Sequence, residues 1–137
     1  MAIDVNRVPL KLATAQSITT TGDKTTYRPG YYETIVYAVS VVVTTAVGGD
    51  VAQLTVDHRP VVGSNTGRTT IATINLPASL AVGAVRYREG LNFTVRPGGE
   101  LVLAVPDASA AGAVDVELNT AQVWAQPLNN TAMVVST

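Results

Sequence analysis

From Tyr31 to about Ala125 the sequence is cut by glycine and proline turns into short runs in which apolar and polar residues alternate, and no run carries the 3.6-residue period of an amphipathic helix. The punctuation is dense: Arg28-Pro29-Gly30, Gly48-Gly49-Asp50, Gly63-Ser64-Asn65-Thr66-Gly67, Pro77-Ala78-Ser79, Pro97-Gly98-Gly99 and Ala110-Ala111-Gly112. Proline presets its own φ and glycine accepts conformations other residues avoid, so each cluster reads as a reversal of the chain. A sequence broken this often buries its apolar residues as strands, one face inward.

The longest run shows the pattern. Over Tyr31–Val43 the odd positions hold Tyr31, Glu33, Ile35, Tyr37, Val39, Val41 and Val43, and the even ones hold mostly smaller residues. The spacing predicts one long strand with its large residues on a single face. Further strands are expected over Val51–Asp57, with Leu54 and Val56 in phase, and over Arg68–Leu76. Around Leu91–Val95 and Glu100–Val105 the phased residues are Leu91, Phe93 and Val95, then Leu101, Leu103 and Val105. The last strand, with Val114, Val116 and Leu118 in phase, ends near Ala125 before Pro127. Ala81–Tyr87 fits a short strand or a helical turn equally. Seven or eight strands without a helix or an internal repeat predict an all-β fold, an antiparallel β-sandwich of jelly-roll type. Its domain is expected over residues 28–126, behind an N-terminal arm or edge segment (1–27) without sustained periodicity, and ahead of a polar C-terminal tail (127–137).

Composition narrows the function. With 137 residues the chain is long enough for one self-sufficient core, and with no cysteine it has no disulfide scaffold, thiolate metal site or cysteine nucleophile. The start lacks the layout of a secretory signal, and the longest near-apolar run, Ile35–Val43, falls well short of the about 20 residues a membrane helix needs, so a soluble, unexported chain with no membrane partner is expected. Nine basic and ten acidic residues, nowhere gathered into a basic stripe, argue against nucleic acid. Only 14% of residues are charged, against about 25% in a typical soluble domain. A near-neutral, charge-poor exterior favours association, and much of it is expected to be covered in the working state.

Residues able to carry chemistry are sparse. The single histidine, His58, lies in phase with Leu54 and Val56, and its neighbour Asp57 points to the other face, so the reading is a strand-end histidine with a backbone partner. One histidine and no cysteine leave too few ligands for zinc or copper, and no cofactor is expected. Asp115 and Glu117 share a strand face, read as solvated rather than as a glycosidase pair, and no nucleophile-elbow, phosphate-loop or EF-hand motif is present. No enzyme is expected. Asn92-Phe93-Thr94 and Asn129-Asn130-Thr131 match the glycosylation pattern but are discounted without an export signal. The aromatics, Tyr27, Tyr31, Tyr32, Tyr37, Tyr87, Phe93 and Trp124, suit core packing, a protein interface or a sugar platform. Arg86-Tyr87-Arg88-Glu89, the most charged stretch, has the composition of an interface hot spot and equally of a solvated loop.

The order of a long strand after a Pro-Gly turn, then Phe93-Thr94-Val95-Arg96-Pro97-Gly98-Gly99-Glu100-Leu101-Val102-Leu103, then Ala111–Leu118 and a final Trp124 resembles the capsid cement or decoration proteins of tailed bacteriophages, over roughly residues 28–126. The resemblance implies a jelly-roll-like structural protein of the virion, made in the host cytoplasm and placed on the capsid exterior. It would form a homotrimer that clamps neighbouring subunits of the major capsid protein, with a terminal arm reaching along the shell. The arm would be Ala2–Pro9, which makes Ile3, Val5, Arg7 and Val8, together with Arg86, Tyr87 and Arg88, the expected protein-interface residues. The alternatives are another virion part, such as a tail, baseplate or head-fibre module, and a carbohydrate-binding sandwich. The latter requires Tyr31, Tyr32, Tyr87 or Trp124 exposed along one groove.

Overall fold

The computed structural model describes residues 7–124. Nine strands follow one another: β1 (Arg7–Ser17), β2 (Gly22–Tyr27), β3 (Tyr32–Thr45), β4 (Ala52–Arg59), β5 (Thr69–Leu76), β6 (Val85–Arg88), β7 (Phe93–Val95), β8 (Glu100–Asp107) and β9 (Ala113–Trp124). There is no helix among the described residues. Two antiparallel sheets form, one in the order β1-β9-β3-β6 with β7 also on β3, the other in the order β2-β8-β4-β5. Buried residues of both sheets make one core cluster, so the chain is all-β with two sheets facing a shared interior, an arrangement consistent with a β-sandwich.

The first sheet is organised by β3 and β9, paired from Tyr32↔Trp124 to Thr45↔Ala113. Val114, Val116 and Leu118 point into the core, in the phase the sequence shows. The alternation along β3, however, is broken by a bulge between Val36 and Ala38. Thr34 and Val36 are buried before it, and Val39, Val41 and Val43 after it. The single large-residue face expected over Tyr31–Val43 is therefore divided, because the extra residue shifts the parity and releases Tyr37 from the core side. In the second sheet Leu54, Val56, Leu101, Leu103 and Val105 enter the core as expected.

Residues 7–27, expected as an arm or edge segment ahead of the core, supply an edge strand to each sheet: β1 on β9 and β2 on β8. Their period is hidden by register shifts at Lys11/Ala13, Ala13/Gln16 and Asp23/Thr25. Ala15 sits at φ 47°, with its N–H donated to Asp115 Oδ1 at 2.7 Å. The expected arm, Ala2–Pro9, thus overlaps β1 from Arg7 onward, while Ile3, Val5 and the tail 127–137 lie outside the described residues. Of the two alternatives for Ala81–Tyr87, the chain makes a turn over Ala81–Ala84 and then the short strand β6.

Between β1 and β2 the chain crosses from one sheet to the other, and Ile18, fully buried, fills that end of the core. Its N–H donates to the Gly112 carbonyl at 3.2 Å and its carbonyl accepts from Ser109 at 3.0 Å. Gly112 stands at φ +137°, and a Cβ there would meet Ile18 Cδ1 at 2.7 Å. Gly112→Ala is therefore expected to lower stability by about 2–3 kcal/mol, combining backbone strain with overpacking. Gly22→Ala, also at positive φ but facing open space, is expected to cost about 1 kcal/mol. Urea denaturation of the two variants measures the difference.

Candidate interaction face

The β3 bulge that turns Tyr37 outward also shapes the outer face of the first sheet. Its carbonyls are taken up by the loop after β6: the Leu91 N–H donates to Tyr37 O at 3.0 Å and the Asn92 N–H to Val36 O at 2.9 Å. That loop can double back because Gly90 and Asn92 adopt φ of 73° and 67°. Across β9 the same row of the sheet ends at β1, where Arg7 lies opposite Ala121 and places its guanidinium 4.1 Å from the Tyr37 ring centroid. This cation–π contact joins β1 to the bulge.

Between these walls runs a trough on the outer face of the first sheet. One part, of 410 Å³, is bounded by Arg7, Tyr37, Leu91 and Asn92. The other, of 270 Å³, is bounded by Ser40, Tyr87 and Glu117. The two share Ala38, Glu89 and Asn119 and so adjoin. Tyr87, paired with Ser40 on β6, is 66% exposed and stands at one end as Arg7 stands at the other. Two of the residues singled out in the sequence are thus brought to one face. Arg86 and Arg88 alternate to the opposite side of β6 from Tyr87. Val8 points away from Arg7, half exposed, with its carbonyl accepting the Thr120 hydroxyl at 2.9 Å. Arg7, Glu89 and Glu117 put charge along the trough, and nearby Lys11 and the part-exposed Asp115 approach to 3.6 Å, a pair of little energetic weight.

The second concentration of polar groups was not legible in the sequence. At one end of the second sheet Glu100 is fully buried; its Oε2 accepts the Gly63 N–H at 2.6 Å and Arg59 Nη1 at 3.4 Å, and its Oε1 accepts Arg28 Nε at 3.3 Å. Arg59 continues to Asp23 at 2.8 Å, and Arg68 bridges Asp23 at 2.7 Å and Asp57 at 2.7 Å. Thr70 donates to Asp57 at 2.8 Å. Three carboxylates and three guanidiniums thereby tie β2, β4, β8 and the loop before β5 together. The hydrogen bonds from Arg68 hold Asp23 below the usual carboxylate value. Burial alone would raise Glu100, yet the Gly63 N–H and the two arginines keep it below the ordinary glutamate value. Asp23 and Asp57 line a 520 Å³ depression, but both are engaged with Arg68, and the ionised, paired Asp23 is poorly suited to give a proton near neutral pH.

His58 faces inward as its phase implies, though its partner is the Phe93 ring, edge-on at 4.8 Å, in place of the expected backbone group. Burial lowers its pKa and favours the neutral ring. Asp115 is engaged by Ala15 and Lys11, so the Asp115/Glu117 face serves in part to fix β1. Among the described residues no group of three or more His, Asp or Glu side chains is placed to hold a metal ion. No protein-family model matches the chain, and no curated protein matches it.

Because Asp23 and Glu100 titrate below their unfolded values, their contribution to stability is present above about pH 4.5 and disappears as pH falls through the folded values. The urea midpoint is expected to stay level from pH 7 to about 5 and then to fall. Glu100→Gln, which leaves two arginines facing a neutral amide, is expected to lose about 1–3 kcal/mol at pH 7 and to flatten the acid limb, as the same titration would record.

Proposed function

We propose that this chain is a non-enzymatic structural subunit that attaches to the outside of an assembled phage capsid and stabilises it, with the outer face of the first sheet as the docking surface. The carrying observation is the trough that places Arg7, stacked on Tyr37, and the exposed Tyr87 on one face. Tyr and Arg are the residue types that anchor protein interfaces, because each presents a rigid or planar body with a polar tip. Support for the jelly-roll type comes from the strand orders β1-β9-β3-β6 and β2-β8-β4-β5, in which the chain alternates between two sheets and the last strand returns beside the first. Double-sheet jelly rolls are common in capsid-associated and lectin domains.

A subunit that binds the assembled shell and not its free parts stabilises that shell by mass action. The charged groups along the trough, Arg7, Glu89 and Glu117, would set orientation by meeting complementary groups on the shell. The carbohydrate alternative draws less support. Tyr31 and Tyr87 are exposed, but Tyr32 and the Ser40 partner of Tyr87 are separated along β3 by a span of roughly 25 Å, so these tyrosines do not share one groove.

The test is co-sedimentation of the full chain with purified heads that lack a decorating subunit. Wild type is expected to pellet with the heads, and Arg7→Ala with Tyr87→Ala to bind at least about tenfold more weakly while remaining folded, with stability lower by only the about 0.5–1 kcal/mol of the lost cation–π contact. Equal binding by the double variant would exclude this face as the docking surface. Deleting residues 1–6 leaves the β1 pairs from Arg7↔Ala121 onward in place and isolates any contribution of the arm.

A further inference from the structure

The sheet edges are unequally protected. β1 carries Pro9, Lys11 and two register shifts, and β2 is six residues long with Asp23, Lys24 and a shift of its own. The far edge of the first sheet is split between β6, four residues with Arg86 and Arg88, and β7, three residues. Short strands, charges, proline and bulges are the devices by which edges are kept from pairing with other chains. β5, by contrast, runs for eight residues, Thr-Thr-Ile-Ala-Thr-Ile-Asn-Leu, without a charge or a proline, and among the described residues pairs only with β4. Its single irregularity falls between Thr70 and Ala72, which leaves Ala72–Leu76 regular and opposite Ala52–Val56.

That regular run is self-complementary. Ala72, Ile74 and Leu76 are buried on the core side, and Thr73 and Asn75 are exposed on the outer side. Reversed about Ile74, the pattern maps onto itself: Ile74 meets Ile74, Ala72 meets Leu76, and Thr73 meets Asn75. Each of these pairs lies on the same face of the sheet, which an antiparallel ladder requires.

We propose that β5 is the self-association edge of this protein, pairing antiparallel with β5 of a second copy about a two-fold axis at Ile74, so that the two second sheets become one continuous sheet. Such an interface is isologous and closed, with the unpaired backbone groups of each edge satisfying those of the other. The homotrimer implied by the family resemblance would need β5 to meet a different edge, and the three others carry the protecting features. The inference uses this edge alone and does not rest on the docking surface proposed above.

Sedimentation of the full chain over a concentration series is expected to show association to a two-copy species. Thr73→Lys with Asn75→Lys, which sets lysine opposite lysine across the axis, is expected to weaken that association at least about tenfold. Both positions are exposed, so circular dichroism and the unfolding midpoint should be retained. The chain has no cysteine, so Thr73→Cys with Asn75→Cys reports the register: oxidation is expected to yield a covalent dimer from the double variant and little from either single one. A chain that stays monomeric, a three-copy species, or undiminished association of the lysine variant would overturn the pairing. Binding of that lysine variant to undecorated heads separates the two readings, because loss of pairing with retained attachment leaves the docking surface intact.

Discussion

The first sheet is assembled around the antiparallel ladder between β3 and β9, which pairs Tyr32 with Trp124 at one end and Thr45 with Ala113 at the other. This ladder spans almost the full length of both strands, and β1, β6 and β7 are each hydrogen-bonded to one member of it. The core of the first sheet comes from Val39, Val41, Val43, Val114, Val116 and Leu118, all essentially inaccessible to solvent. Five of the six are valine, a residue whose branched Cβ fits the pleated surface and disfavours a helix. One residue inserted into this ladder, at the β3 bulge, then determines what the outside looks like. It exposes Tyr37 for Arg7 to cover and offers two carbonyls to the loop that walls the trough.

The second sheet is held at one end by a different kind of force. A fully buried carboxylate is costly unless its lone pairs are taken up, and Glu100 is met by a backbone N–H and two guanidiniums. The network converts an exposed loop at residues 60–68 into a fixed wall and links it to β2 across Asp23. Its three negative and three positive groups balance one another, and Glu100, Arg59 and Asp57 are the members drawn furthest from solvent.

What could be read from the sequence were features that depend on near neighbours. Period two over β4, β8 and β9, bounded by glycine and proline, gave these strands and their inward residues without any knowledge of their partners. What was not legible involved broken periodicity or distant partners. β1 and β2 lose their alternation to bulges, including Ala15 in a left-handed conformation that only the remote Asp115 explains. The parity change at Val36/Ala38 is invisible locally, since Tyr37 is as acceptable on one face as on the other. The partners of Glu100 lie 37, 41 and 72 positions away in the chain. The one local hint was a glutamate opening an otherwise apolar strand directly after Pro97-Gly98-Gly99. Arg7 and Tyr87 could be marked as interface-type residues, but their meeting on one face follows from strand order, which a single sequence does not carry.

Cryo-microscopy of undecorated phage heads incubated with the purified chain would show whether the outer face of the first sheet seats on an assembled shell. Added density is expected on the capsid exterior, into which the two-sheet body fits with the Arg7–Tyr87 trough against the shell. Heads that remain bare, or a body attached through another surface with that trough turned to solvent, would contradict it.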